Sequence, residues 1–316
     1  MTYTSDELKN AVAGGLIPAM PVMFDREGRF HQRAHEAYVA FMSSQPIAGA
    51  AVWAHTGRGL LLDDETARVV MQQWRQTLPG KPLIAGVGAR SRDSNPVSMA
   101  SGAIEYGADA LLVYPPTWLK DHEQRDSLIV EHHQQLAELG LPLVLFYLYE
   151  AAGGVCYTTA VLDELLALPN VIGIKMATLD SVMTYQDVAR HIQSRHPDKL
   201  LITGEDRFLG YSLLRGAQTA LIGMGAVCTD LQAELMAAHF SGKAERFLDL
   251  SDIVDQLAEV LFIQPMEGYI GRILFALSKL GVIPIEAAND PWGPALTPHD
   301  IENITNVLNA LNVQVG

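Results

Sequence analysis

The stretch Asn170-Val-Ile-Gly-Ile-Lys175-Met-Ala-Thr178 decides how the chain is read. It opens on a turn-forming Asn170, runs through short apolar residues, and closes on a lysine. A run this short and this apolar reads as a strand covered on both faces, as in a parallel sheet under helices. Seven further runs share its character: Leu16–Phe24, Gly49–Ala54, Pro82–Val87, Ala108–Tyr114, Pro142–Tyr147, Leu200–Gly204 and Thr219–Met224. Between them lie helical stripes such as Ala34-Ala37-Tyr38-Phe41-Met42 and Ala67-Val70-Met71-Trp74, with a looser one at Leu128-Ile129-Leu136-Leu139. Capping residues precede three of the helical segments: Asp63-Asp64-Glu65, Ser91–Asn95 and Thr158-Thr159. Eight strands alternating with helices predict an α/β chain, a TIM (β/α)8 barrel over residues 1–226. From there the pattern is purely helical, at about 228–241, 243–261, 265–281 and 298–313, with no Gly-, Ser- or Pro-rich linker. A C-terminal helical extension, 227–316, packed on the barrel is therefore expected. The rival doubly wound sheet lacks its fingerprint: Gly86-Val-Gly88-Ala-Arg-Ser91 follows a strand but has no third glycine.

Composition narrows the function. The 316 residues are 49% hydrophobic and 18% charged, enough for a large core and incompatible with disorder. Lys+Arg 22 against Asp+Glu 36 gives −14. Such a chain is repelled by phosphate backbones and anionic lipid, so neither a nucleic-acid nor a membrane partner is expected. Two cysteines, Cys156 and Cys228, supply no disulfide framework and no zinc site, which fits a reducing cytoplasmic setting. The opening Met1-Thr-Tyr-Thr-Ser-Asp-Glu-Leu8 lacks the basic and apolar regions of a secretory signal. The longest apolar run, Leu139–Tyr149, is broken by Gly140 and Pro142, and about 20 residues are needed to cross a bilayer.

In a barrel of this kind the chemistry sits where the strands end at their C-terminal side. The second strand ends Ala54-His55-Thr56-Gly57-Arg58, the fourth Tyr114-Pro115-Pro116-Thr117-Trp118, the fifth Phe146-Tyr147-Leu148-Tyr149-Glu150, and the seventh Gly204-Glu205-Asp206-Arg207. The eighth ends Gly223-Met224-Gly225, small enough for a ligand to approach the backbone. Of the seven lysines, at 9, 81, 120, 175, 199, 243 and 279, only Lys175 closes an apolar strand. A buried lysine loses hydration and its pKa falls, which makes it the neutral amine that Schiff-base chemistry needs. An ion-paired strand-end lysine is the alternative. Tyr147 ends the preceding strand and is expected beside Lys175, where a phenol can shuttle protons.

These segments resemble the dihydrodipicolinate synthase / N-acetylneuraminate lyase family of Schiff-base aldolases, over nearly the whole length. Val171-Ile-Gly-Ile-Lys175-Met-Ala-Thr178 is similar to the family's imine-lysine strand. Gly15-Leu-Ile-Pro-Ala-Met-Pro-Val-Met-Phe24 resembles its opening strand, and Ala54–Arg58 its Gly-Thr/Ser-Thr-Gly-Glu loop. Ala85-Gly-Val-Gly88, Phe146-Tyr147 and Ala276-Leu277-Ser-Lys-Leu280-Gly281 resemble its third strand exit, strand-five tyrosine and C-terminal helices.

The resemblance implies that Lys175 forms an imine with pyruvate or a longer 2-oxo acid, that Tyr147 shuttles protons, and that Thr56 with the His55 amide holds the substrate carboxylate. Gly57, Arg58, Thr117, Gly223 and Met224 complete the substrate site. The loop glutamate is replaced by Arg58 and its first Thr/Ser by His55, which is expected either to serve as an acid or base in its place or to make a structural hydrogen bond at the strand end. Arg58 is expected either to bind a distal anion or, more simply, to pair with Asp63 or Asp64. Glu205 and Asp206 are expected to cap the next helix or, as the alternative, to contact substrate hydroxyls. The relay's second tyrosine falls near Thr117, and no arginine follows the strand-five tyrosine in Tyr149-Glu150-Ala151-Ala152-Gly153. The expected protein is thus a Schiff-base lyase that is not a lysine-biosynthesis synthase. The alternatives are a 2-keto-3-deoxy sugar acid dehydratase using the same imine, or a barrel that binds a 2-oxo acid without turning it over. No cofactor and no metal are expected: His31 with His35, and His132 with His133, have no third ligand at metal spacing and are read as exposed helix faces. A homo-oligomer, dimer or tetramer, is expected by resemblance.

Overall fold

A computed structural model describes residues 3–89, 91–179 and 181–311. All eight strands form, shorter than the apolar runs that announce them: β1 Leu16–Pro18, β2 Ala50–Val52, β3 Leu83–Val87, β4 Ala110–Val113, β5 Leu143–Leu148, β6 Val171–Ala177, β7 Leu200–Thr203 and β8 Thr219–Ile222. The helices are α1 Ser5–Val12, α2 Gln32–Ser43, α3 Asp64–Thr77, α4 Pro96–Glu105, α5 Arg125–Ala137, α6 Thr159–Leu166, α7 Val182–Arg195, α8 Leu209–Leu214, α9 Thr229–Phe240, α10 Ala244–Leu261, α11 Tyr269–Lys279 and α12 Pro298–Ala310. Asp63, Asn95 and Thr158 are the N-caps of α3, α4 and α6, each accepting an N–H from the first turn.

The strands are parallel and lie in the order β1-β8-β7-β6-β5-β4-β3-β2. β1 and β2 meet through one parallel bridge, Ala19 to Ala51, with the Met20 N–H donating to the Ala51 carbonyl at 3.0 Å. That bridge closes the barrel. One apolar cluster, with Ile17, Ile84, Leu112, Val144, Phe146 and Ile202 among its members, fills the lumen. A second, larger cluster takes the outward faces of the strands together with the helices, including Leu250, Leu257, Ile273 and Leu308 from the C-terminal helices. α9 follows β8 and completes the eighth strand–helix repeat; α10–α12 lie beyond it. Among the described residues no single helix is long and apolar enough to cross a membrane.

Which face a residue takes is set by register. On β5, Val144, Phe146 and Leu148 belong to the lumen, while Leu143, Leu145 and Tyr147 belong to the outer cluster. On β6 the pairing slips: Leu143 faces Val171, yet Val144 faces Gly173, so one extra residue enters β6 beside Gly173. A bulge inverts the alternation downstream of it. Ile172 points into the lumen before the bulge and Ile174 points outward after it, so Lys175 points inward, opposite Phe146.

Two expectations are overturned at the helices. His35, His132 and His133 are buried rather than exposed. His35 sits edge-on to Phe30 and Trp74 with Nδ1 against Met23 Sδ at 3.3 Å, and His133 shares its Nδ1 with the Ile129 carbonyl at 2.7 Å. Burial disfavours the imidazolium and pushes the pKa of His35 and of His133 down to about 3. The neutral imidazole is far cheaper to bury than the ion, although Nε2 of His35, His132 and His133 is left without a hydrogen-bond partner.

Candidate active site

The Lys175 side chain is 5% exposed, and its Nζ lies over the Phe146 ring at 4.2 Å from the centroid. Its stem runs past β7 in a space kept open by Gly204, where a Cβ would come 2.6 Å from Lys175 Cε. Two effects compete over its proton. A ring face attracts an ammonium by about 0.5–2 kcal/mol, whereas taking the ion out of water costs several kcal/mol. Desolvation wins, lowering the Lys175 pKa to about 8, while the charges of Asp206 and Glu205 hold it from falling further. The amine is thus accessible in its neutral form near pH 8, as a carbonyl nucleophile must be.

The two acids end β7 but do not cap the helix that follows. Glu205 accepts the N–H groups of Thr178 at 2.7 Å and Leu179 at 2.8 Å and the Thr178 hydroxyl at 2.8 Å, so it braces the exit of β6 behind the lysine. Asp206 accepts the Met224 N–H at 2.7 Å and joins β7 to the exit of β8. Burial raises the pKa of both, Asp206 to about 7 against the pull of Lys175.

Tyr147 is not beside Lys175. Its ring packs edge-on against Tyr157 on the outward face of β5, and burial there, with Cys156 and Glu150 nearby, raises its pKa. The residue that meets the amine is Phe146, which carries no proton. The phenols on the lumen side are others. Tyr114 packs edge-on against Phe146 at 5.3 Å and Tyr149 donates to Glu267 at 2.9 Å, while Tyr269, a member of the outer cluster at the start of α11, shares a hydrogen bond with Thr56 Oγ1 at 3.0 Å.

Glu267 and Asp290 come from beyond the barrel repeat, Glu267 on a single helical turn, Met266–Gly268, before α11. Glu267 receives His55 Nε2 at 3.1 Å, Arg58 Nη1 at 2.9 Å and the Tyr149 hydroxyl. Burial raises its carboxyl, but His55, Arg58 and Tyr149 outweigh that and hold it down to about 2. Arg58 donates to Asp290 at 2.6 Å and 3.2 Å. The expected pair with Asp63 or Asp64 does not form, because Asp63 caps α3 instead. Arg58 turns toward these acids in the left-handed conformation, φ 52°, shared at this end of the barrel by Trp53, φ 57°, and Leu179, φ 49°. Such conformations cost of order 1 kcal/mol or more outside glycine and cluster at functional sites.

A cavity of about 420 Å³ opens here, lined by His55, Arg58, Tyr114, Thr117, Leu148 and Glu267 among others. The structure therefore brings together His55, Arg58 and Thr117 of the expected site on one cavity, with Thr56 behind them, bonded to Tyr269, whose ring stacks on His55. Gly57 packs its backbone under β1, where a Cβ would meet the Met20 carbonyl at 2.6 Å. Gly223 lies beside Thr56, with its Cβ position 3.1 Å from Oγ1. Met224 departs from its expected place: its side chain joins the outer cluster and its amide is taken by Asp206. Glu267, Tyr269 and Asp290 escape sequence reading. The one signal was an acid set within the apolar stretch Phe262–Ile270.

Among the described residues one group has metal-ligand geometry: Asp163, His191 and His196, whose ligand atoms lie within 4.8 Å of one another on α6 and at the end of α7. It lies in the outer helical layer, apart from the lysine, and the Asp163 carboxylate is shared by the two imidazoles at 2.8 Å and 2.6 Å.

The chain matches the model of the dihydrodipicolinate synthetase family over residues 12–310. It is 26% identical to a 4-hydroxy-tetrahydrodipicolinate synthase of Bartonella quintana over 271 residues, 85% of this chain and 88% of the relative. Its fold superposes on a dihydrodipicolinate synthase of Oceanobacillus iheyensis with a TM-score of 0.81 at 19% identity, covering 98% of this chain and 100% of the other. A sialic acid aldolase of Ruminococcus gnavus gives a TM-score of 0.82 at 19% identity, covering 96% and 97%.

Proposed function

The chain belongs to the dihydrodipicolinate synthetase family, and on that premise we propose that it is an aldolase-type lyase whose Lys175 forms a Schiff base with pyruvate or a longer 2-oxo acid. The observation that carries this is the amine itself: buried, inward-facing, with its pKa lowered to about 8, at the C-terminal end of a barrel strand. The neutral amine adds to the C2 ketone, and loss of water gives the imine. In its protonated form the imine draws electrons from C3. In a 4-hydroxy-2-oxo acid the hydroxyl then loses its proton, the C3–C4 bond breaks, and an aldehyde leaves. The remaining enamine takes a proton at C3, and water hydrolyses the imine to release pyruvate and the amine. Condensation runs the same steps backwards.

Phe146 gives the amine a dry, apolar floor but moves no proton. That task falls to His55, held by Glu267, and to Asp206, whose raised pKa leaves it able to take and return a proton near neutrality. Thr56 and the His55 amide hold the 2-oxo acid's carboxylate. The protein acts on something other than the substrate of a 4-hydroxy-tetrahydrodipicolinate synthase: Tyr149–Gly153 contains no arginine, and Arg58 is already committed to two carboxylates. The barrel is one unit through α9, with α10–α12 as the extension that furnishes Glu267 and Asp290, and it assembles as a homo-oligomer.

The test is reduction with borohydride in the presence of pyruvate, read by mass on the peptide carrying Lys175. An adduct on that lysine is expected; its absence with pyruvate and with longer 2-oxo acids overturns the assignment.

A further inference from the structure

The Lys175 amine lies behind the cavity, over the Phe146 ring that packs at 5.3 Å against Tyr114 of the cavity wall, so that wall bears on the second substrate. The cavity's wall is apolar over most of its area, built from Leu60, Leu61, Tyr114, Leu148 and Ala152. Its cation, Arg58, is spent: Glu267 and Asp290 bond it at 2.9 Å and 2.6 Å. One guanidinium, with His55 beside it on Glu267, is shared between two carboxylates, so that side of the chamber has no cation to spare, in a chain whose net charge is already −14. A second carboxylate on the incoming aldehyde would meet Glu267 and Asp290 and, among the described lining residues, find no free cation. A polyhydroxylated aldehyde would bury hydroxyls against leucines, each unpaired one costing about 1–3 kcal/mol. A flat apolar group meets neither penalty, and Tyr114 offers it an aromatic surface.

We propose that the aldehyde released or consumed at Lys175 is uncharged and apolar, of the size of an aromatic ring, and that it occupies the chamber between Leu60, Leu61, Tyr114 and Leu148. This rests on the Schiff-base reading of Lys175. The enamine C3 attacks the aldehyde carbon, the carbonyl oxygen takes a proton, and hydrolysis of the imine frees a 4-hydroxy-2-oxo acid bearing the apolar group at C4. His55 and Thr117 lie on the same chamber wall as donors for the new hydroxyl.

The experiment uses the full chain and has two readouts. Borohydride trapping with pyruvate reports on Lys175. Pyruvate consumption is then followed with benzaldehyde, succinic semialdehyde or glyceraldehyde as the acceptor. The expected result is an adduct and a kcat/KM for benzaldehyde at least about tenfold above either of the others. Leu60→Arg, which adds a cation to the wall, is expected to cut the benzaldehyde rate and raise that of succinic semialdehyde, inverting the order. An adduct with succinic semialdehyde or glyceraldehyde preferred, or with no acceptor used, overturns the proposal and leaves Lys175 standing. No adduct with any 2-oxo acid overturns both.

Discussion

Two arginine–carboxylate groups, each with a buried carboxylate, sit at opposite ends of the barrel and differ in what shares them. At the N-terminal end, Arg75 of α3 donates to Asp109 at 2.7 Å and to the carbonyls of Leu78, Lys81 and Gly107, while Asp109 also accepts the Leu83 N–H at 2.9 Å. Its polar atoms go back into backbone that would otherwise be unpaired, and it ties α3 to the starts of β3 and β4. At the C-terminal end, Arg58 has comparable partners, Asp290 and Glu267, but one of them also holds His55 and Tyr149, and the group lines a cavity. The first pair staples the fold. The second holds side chains ready around an opening, and it does so with residues separated by more than two hundred positions. The first is saturated by backbone; in the second one carboxylate is shared among three side chains at a cavity wall.

Lys175→Ala gives the largest expected effect and defines the functional end. Loss of the nucleophile is expected to abolish the borohydride adduct and lower kcat/KM by about 10⁴-fold or more, with a thermal midpoint near that of the unaltered protein. Arg75→Ala is expected to do the reverse. Leaving Asp109 buried without its cation costs about 3–5 kcal/mol in denaturant unfolding, and trapping at 25 °C is unchanged in the folded fraction. A loss of trapping without loss of stability would break the contrast between the two ends. Arg58→Leu falls between them: about tenfold slower turnover, since His55 and Tyr149 lose the arrangement around Glu267, with a modest drop in stability.

The pH dependence sharpens the same contrast. The Lys175 amine is protonated below about 8, so the trapping rate is expected to fall about tenfold per pH unit beneath that point and to level off above it. A profile flat from pH 6 to 9 would show that the amine is not the titrating nucleophile. The smallest effect is expected of Tyr147→Phe. Because the phenol faces Tyr157 and not the lysine, turnover and trapping are expected to change by less than about twofold; a large loss of turnover would return Tyr147 to the chemistry.

Much of this was legible in the order of residues. Eight apolar runs separated by helical stripes lead to the barrel, since burying both faces of a parallel strand requires an unbroken apolar run. The solitary strand-end lysine stands out for the same reason: a charge at the end of such a run needs a purpose or a partner. The face each residue takes was not legible. A strand covered on both sides shows no polar–apolar alternation, so nothing local separates Phe146 from Tyr147, and the bulge at Gly173 that turns Lys175 inward arises from pairing with β5. Nor did local pattern reveal Glu267, Tyr269 and Asp290 at the mouth. Their place depends on a C-terminal segment folding back over β2, a contact far along the chain that periodicity, a property of neighbours, does not encode.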